Sequence, residues 1–166
     1  FNFVSKAIDK KHVKESIRYI SVDKDFIAGT DGKRLHLSRN IEGRESGIYR
    51  IIEKSAKRLE AYVYPKDHQI TKNFPDYKEM AVKFGMDKKS ARFDTTQFVS
   101  FSDYSEQARY AQIIRFSEKN TINFDYFKSS DPKRYDLFSW EDNSGPLIMT
   151  DHKQENICLI MPVYIP

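Results

Sequence analysis

The sequence contains a single cysteine, Cys158, so no second thiol is present with which it could form an intramolecular disulfide. The four histidines are isolated from one another, and none stands in the spacing of a zinc site. No stretch approaches the roughly 20 consecutive apolar residues that a membrane span needs. We therefore expect a buried, inert thiol, no metal or other cofactor, and no membrane partner.

The usual signatures of catalysis are also missing. The sequence has no two-histidine helical motif, no Gly-x-Ser-x-Gly elbow and no phosphate-binding loop. Asp151 and His152 fit either an acid–base or metal pair or the polar tip of a hairpin, and the hairpin is the favoured interpretation. Asp76, which follows a proline, is more typical of a turn than of a catalytic base. The chain is therefore not expected to be an enzyme.

Charge is abundant but unevenly distributed. Residues 1–92 carry 21 Lys and Arg against 13 Asp and Glu, whereas residues 93–166 carry 7 against 11, and the whole chain has a net charge of +4. A basic half could lie along nucleic-acid phosphates, or it could be an ordinary solvated surface. No helix-turn-helix, zinc-finger or basic heptad pattern indicates sequence-specific DNA binding. The N-terminus lacks a signal-peptide layout, so a cytoplasmic location is expected.

The 166 residues are enough for one ordinary domain or two small ones, and 39% hydrophobic residues can fill a core. Residues 15–38 predict a hairpin with a charged turn at residues 23–25, which leads into a second turn at Gly32. After that turn, Leu35 and Leu37 alternate with polar residues and predict a strand with one buried face. A short strand is expected at residues 48–52. Ile52, Ala56, Leu59 and Val63 fall on one helical face, which predicts a helix ending at Pro65.

The remainder of the chain predicts further strands. An extended connection should follow to residue 92, and Asp103 with Glu106 forms a capping box that predicts a helix start. Strands are expected at residues 97–101, 121–126, 135–140, 147–150 and 157–165. We expect an α+β fold of antiparallel sheets with helices packed on one face. Its domains should comprise residues 1–82 and 93–166, joined by a connector at residues 83–92.

Two separated segments resemble the walls of the peptide-binding pocket on bacterial DNA sliding clamps, the beta subunit family of DNA polymerase III. Residues 30–35 read Thr-Asp-Gly-Lys-Arg-Leu, and residues 159–163 read Leu-Ile-Met-Pro-Val. Residues 73–77, Asn-Phe-Pro-Asp-Tyr, resemble the segment that follows the first wall, and residues 122–127 resemble a strand of the last domain. The resemblance implies a peptide pocket formed by Thr30, Gly32, Lys33, Arg34, Leu35, Leu159, Ile160, Met161, Pro162 and Val163.

In that pocket Leu35, Ile160, Met161 and Pro162 would supply an apolar floor, and Arg34 would meet peptide carbonyls. The resemblance implies a clamp-like processivity factor that slides on double-stranded DNA without reading sequence. Its expected partners are a DNA polymerase or other proteins with a clamp-binding peptide, and a clamp loader.

The chain also departs from the clamp pattern. Clamp subunits typically have three domains, whereas this chain has room for two. Too few residues separate Val63 from Asn73 for the strands that clamps have there. A reduced clamp, derived from a phage or mobile element and closed by three copies, is one expectation. The alternative is a nucleic-acid-binding or partner-recruiting module without a ring, which could stack bases on Tyr62 and Tyr64 beside Lys66.

Overall fold

The structure is a computed structural model. It describes residues 1–54, 59–64, 73–79, 89–93, 99–101, 113–115, 121–132, 135–140, 145–153 and 155–163. The chain divides into two compact units, Phe1–Tyr77 and Lys78–Pro166. The boundary between the units, after Tyr77, lies N-terminal to the connector expected at residues 83–92.

In the described part of the first unit, strands form an antiparallel sheet in the order β5-β4-β1-β2-β3. The strands are β1 (Ile20–Val22), β2 (Phe26–Thr30), β3 (Arg34–Arg39), β4 (Gly47–Lys54) and β5 (Leu59–Tyr64). The turn between β1 and β2 is held by Asp23, whose Oδ1 accepts the backbone N–H groups of Asp25 and Phe26, each at 2.7 Å. A short polar side chain that satisfies its own turn is the usual reason for Asp at such a position.

The core of the first unit lies between this sheet and an N-terminal 3₁₀ helix, Val4–Ala7. Val4 is fully buried against the sheet together with Ile20, Val22, Ile27, Tyr49 and Ile51. The helix approaches β2 so closely that a Cβ at Gly29 would lie 2.7 Å from the carbonyl oxygen of Val4. Glycine at position 29 is therefore what allows the helix to cover the sheet.

The predictions for the first unit are confirmed in part. The hairpin of β1 and β2, the strand β3 after the Gly32 turn and a strand over residues 48–52 are present, but Glu15–Arg18 forms a second 3₁₀ helix rather than a strand. The predicted helix at residues 52–63 is wrong, because β4 and β5 pair as antiparallel strands there, with Tyr49 opposite Val63. Tertiary pairing of β-branched and aromatic residues outweighed the helical spacing of four apolar positions.

The second unit contains two antiparallel sheets among its described residues, ordered β12-β11-β10-β6 and β7-β8-β9. The strands are β6 (Lys89–Phe93), β7 (Val99–Phe101), β8 (Ile113–Arg115), β9 (Thr121–Asn123), β10 (Asp136–Trp140), β11 (Leu147–Thr150) and β12 (Asn156–Ile160). One helix, α1 (Phe124–Ser129), follows β9 directly. All four residues of β11 are buried, so this strand is covered on both faces.

The strand predicted at residues 121–126 ends at Asn123, and α1 takes over. The side chain of Asn123 accepts the N–H groups of Asp125 and Tyr126, which caps the helix and explains the change. Strand β6 lies largely within the expected connector, and β12 ends five residues before the predicted limit. The strands predicted near residues 97–101, 135–140 and 147–150 are present. The helix expected from Asp103 lies outside the described residues.

The described residues of both units are thus mostly antiparallel sheet with a few short helices. Among those residues no helix is both long and apolar enough to cross a bilayer. The Cys158 thiol is buried, as the sequence predicts, and its Sγ lies 3.4 Å from the hydroxyl oxygen of Ser130.

Candidate functional site

The first candidate wall, residues 30–35, is a turn whose side chains satisfy its own backbone. The Thr30 hydroxyl donates to the carbonyl oxygen of Arg34 at 2.6 Å and accepts the Gly32 N–H at 3.0 Å. Asp31 Oδ1 accepts the N–H groups of Lys33 and Arg34, each at 3.0 Å. Gly32 has a φ of +84°, a conformation that only glycine adopts without strain. The turn predicted from Thr-Asp-Gly is confirmed.

Arg34 is held against the turn rather than extended from it. Its Nε donates to Asp31 Oδ2 at 3.0 Å, and the two side chains are only 12% and 9% exposed. The hydrogen bond between this guanidinium and the Asp31 carboxylate is charge-assisted, and it stiffens the turn. Lys33 is exposed, so it is the cation that this wall presents to solvent.

The turn leads directly into strand β3, which is buried on both faces. Leu35, His36 and Leu37 are 3%, 0% and 2% exposed, so the expectation of one buried face is wrong. The reason is the N-terminal segment: the Phe3 ring stacks on His36 with centroids 4.5 Å apart. The second face of β3 is therefore covered by residues that lie 33 positions earlier in the chain.

His36 is the buried titratable group of this region. Its Nδ1 lies 2.9 Å from the carbonyl oxygen of Phe3, and because a carbonyl only accepts hydrogen bonds, Nδ1 carries the proton. Burial lowers the pKa of His36 to about 4, with smaller contributions from the charges of Arg34 and Lys6 in the same direction. The imidazole is consequently neutral at pH 7 and serves as a packed core residue.

The second candidate wall, residues 159–163, changes character along its length. Leu159 and Ile160 belong to β12 and are 4% and 0% exposed. Met161 and Pro162 are half-buried, and Val163 is 36% exposed. The apolar surface that a ligand can reach on this wall is therefore that of Met161, Pro162 and Val163.

The backbone of this exposed segment is anchored to β9. The Val163 N–H donates to the carbonyl oxygen of Thr121 at 2.7 Å, and the Thr121 hydroxyl donates to the carbonyl oxygen of Val163. Residue 163 is thus bound on both of its polar backbone groups by one residue. Thr121 could not be predicted as part of this site, because nothing local in the sequence marks a contact between residues 42 positions apart.

The third clamp-like segment, residues 73–77, ends in a buried tyrosine. Tyr77 is 6% exposed, its hydroxyl donates to Asp23 Oδ2, and its ring meets Phe74 edge to face at 6.1 Å. Burial and the bond to Asp23 raise the pKa of Tyr77 above its usual value. This segment therefore fastens to the β1–β2 turn, and Asp76 beside it is exposed.

The remaining polar candidates, Asp151 and His152, lie in the second unit. The exposed His152 side chain has its Nδ1 2.9 Å from Oδ2 of Asp136, which is only 20% exposed. Asp151 accepts the Glu155 N–H and the Asn156 side-chain amide. Asp151 and His152 thus form the polar hairpin tip predicted. Within the described ranges no group of three or more His, Cys, Asp or Glu side chains is arranged to hold a metal ion.

For the base-stacking alternative, the Tyr64 ring is half-buried and meets Tyr19 edge to face at 5.6 Å. Lys66 lies outside the described residues, as does the Tyr62 side chain. The stacking platform stays a prediction.

Neither the scan against protein-family models nor the search of curated proteins found a match to this chain. The two walls belong to different units, so a pocket common to residues 30–35 and 159–163 also stays a prediction.

Proposed function

We propose that the chain is a DNA sliding-clamp-like processivity factor. It would tether a polymerase or another DNA-metabolism partner through a pocket with walls at residues 30–35 and 159–163. The observation that carries the proposal is the segment Met161-Pro162-Val163, which combines accessible apolar side chains with a backbone anchored to Thr121. A strip of accessible apolar side chains on a fixed backbone is suited to capturing short peptides. The role involves no bond-making chemistry.

The turn at residues 30–35 supports this function because it is ordered without help from a ligand. Thr30, Asp31 and Arg34 bind one another within the turn. A wall that is already fixed loses little conformational freedom when a peptide binds, and that saving strengthens binding. Lys33 adds an exposed cation that can attract acidic peptides.

The burial of Leu35 and Ile160 refines the roles given to the pocket residues. Both side chains are almost inaccessible, so they support the two walls from behind. Met161, Pro162 and Val163 are the residues that would touch a peptide. Met161 is suited to this role because its unbranched side chain adapts to differently shaped partners.

Calorimetric titration with a peptide that carries glutamine followed by leucine and phenylalanine anchors tests the proposal. Two apolar anchors in a preformed pocket typically give micromolar affinity, and loss of a central contact costs roughly 1–3 kcal/mol. Met161→Ala should therefore weaken binding about tenfold or more with an unchanged melting temperature. Ile41→Ala, at an apolar residue that is 68% exposed in a loop, is the matched control and should bind normally. No binding to the wild type, or equal loss in both variants, would contradict the proposal.

The second candidate function is a nucleic-acid-binding module without a ring, and the excess of 21 basic over 13 acidic residues in 1–92 favours it. Both functions predict weak, salt-sensitive and sequence-indifferent binding to duplex DNA, because phosphate contacts dominate such interfaces. They differ in topology, since only a ring is trapped on DNA that has no ends.

Retention on closed circular and on linear DNA at the same salt separates these candidates. A ring should stay on the circle and run off the linear form, and its solution mass should correspond to a discrete oligomer, three copies if each supplies two domains. Cutting the circle after loading is the internal control, because it should release the protein. Equal loss from both forms, with a monomeric mass, would leave simple electrostatic binding.

A further inference from the structure

Val163 is bound to Thr121 by one backbone hydrogen bond and one side-chain hydrogen bond. Its N–H donates to the Thr121 carbonyl at 2.7 Å, as in a β-ladder. Its carbonyl oxygen is bound by the Thr121 hydroxyl, where a ladder would use a backbone N–H. One residue of β9 therefore fixes both polar groups of Val163.

The geometry of β9 explains why Thr121 is available for this contact. Thr121 lies opposite Arg115 of β8. The N–H and C=O of a strand residue point to the same side, and the Thr121 carbonyl points to Val163, so this pair is of the type that exchanges no hydrogen bonds between β8 and β9. The outer side of β9 at residue 121 thus receives the segment that follows β12.

Burial separates the anchor from the surface that it supports. Thr121 is 8% exposed, whereas Val163 is 36% exposed and the two residues before it are half-buried. Thr121 is too enclosed to be an important ligand contact itself. It acts on the segment through hydrogen bonds to the backbone.

We propose that Thr121 is a positioning residue for peptide binding. Its hydroxyl fixes the backbone of Val163 and so orients the segment Met161-Pro162-Val163 for the peptide. The inference rests on the proposed function of that segment as a pocket wall. Without the hydroxyl, the Val163 carbonyl would turn to water, which its exposure permits, and the segment would keep one anchor of two. The peptide would then have to order the wall as it binds, and affinity would fall.

Three variants test the role of the hydroxyl. Thr121→Val keeps the shape and removes the hydroxyl, and Thr121→Ser keeps the hydroxyl and removes the methyl group. Thr150→Val is the matched control, because Thr150 is 3% exposed and its hydroxyl also donates to a backbone carbonyl, that of Asp151, at 3.2 Å. The readouts are calorimetric affinity for the glutamine–leucine–phenylalanine peptide and hydrogen exchange of the Val163 amide.

Loss of one hydrogen bond should weaken peptide binding in Thr121→Val by about threefold to tenfold. The Val163 amide should exchange faster in that variant by a similar factor. Thr121→Ser should restore both values to within about twofold of wild type, and Thr150→Val should change neither. A merely structural role for Thr121 would lower the melting temperature in both valine variants without separating their peptide affinities.

The outcomes distinguish this inference from the proposed function. If the wild type binds the peptide and Thr121→Val binds it equally well, the positioning role is overturned while the function stands. If the wild type binds no peptide, the proposed function fails first, and the positioning role fails with it. If Thr121→Ser behaves like Thr121→Val, the hydroxyl is not the group responsible and the inference is overturned.

Discussion

The two candidate walls differ in how their conformation is fixed. The turn at residues 30–35 is closed by contacts that span no more than four positions, such as that between Thr30 and Arg34. The segment at residues 161–163 is fixed by a contact with Thr121, 42 positions away. One wall is therefore specified locally by its own sequence, and the other exists only when its unit has folded.

This difference has consequences for dynamics. A locally bonded turn on a buried strand opens only when the strand behind it opens, whereas a half-exposed segment with two hydrogen bonds can detach by itself. Under the proposed function, the segment near Val163 is therefore the wall that would adapt to different partners. The turn would then keep the same conformation with every partner.

The largest expected effect concerns the buried support of the turn. Leu35→Ala removes a side chain that is 3% exposed, and truncation of such a leucine costs about 2–5 kcal/mol of unfolding free energy. Val163→Ala, at a residue that is 36% exposed, should cost only about 0.5 kcal/mol. Urea unfolding of both variants measures the contrast. Equal losses would show that the two walls are supported in the same way.

Local contacts can be predicted from the sequence and long-range contacts cannot, so the two walls differ in how well they were predicted. The turn was predictable because Thr-Asp-Gly carries its reasons within three residues: a hydroxyl, a carboxylate and a glycine at positive φ. The polar tip around His152 and the buried Cys158 were predictable for similar local reasons. The exposed apolar end at Val163 was named from resemblance, but its anchor was not.

The errors arise where long-range contacts decide. Helical spacing in residues 52–63 was outweighed by the pairing of β4 with β5, and the coverage of β3 by Phe3 could not be read from alternation in β3 alone. The bond between Tyr77 and Asp23 joins residues 54 positions apart and leaves no local mark. Asn123 is the exception, since an N-cap residue before Phe124 is a local signal that could have predicted α1.

The second prediction uses acid to test the region behind the turn. Burial lowers the pKa of His36 from 6.5 to about 4, so above pH 6.5 the residue is neutral in both folded and unfolded chains. As the pH falls from 6.5 to 4, the unfolded chain takes up a proton that the folded chain does not. The folded state should therefore lose on the order of 3 kcal/mol over this window.

Urea unfolding between pH 7 and pH 4 measures this effect, and His36→Gln provides the comparison. The glutamine amide can still donate to the Phe3 carbonyl but cannot take up a proton, so its stability should fall less steeply with acid. If His36→Gln and wild type lose stability in parallel, the buried imidazole is not the acid-sensitive group.

The third prediction compares backbone strain at two glycines, one inside the turn at residues 30–35 and one outside it. Gly32 and Gly43 both have positive φ, +84° and +61°, and valine at either position is strained by roughly 1–3 kcal/mol. A Cβ at Gly43 would meet nothing within 4 Å, so Gly43→Val adds strain in an exposed loop and nothing else. Gly32→Val adds comparable strain inside the hydrogen-bonded turn.

Both variants should melt at similarly lowered temperatures, but only Gly32→Val should also lower the affinity for the glutamine–leucine–phenylalanine peptide. If the two variants lose peptide affinity equally, or neither loses any, the turn is a fold element without a part in binding, and the contrast between the walls concerns stability alone.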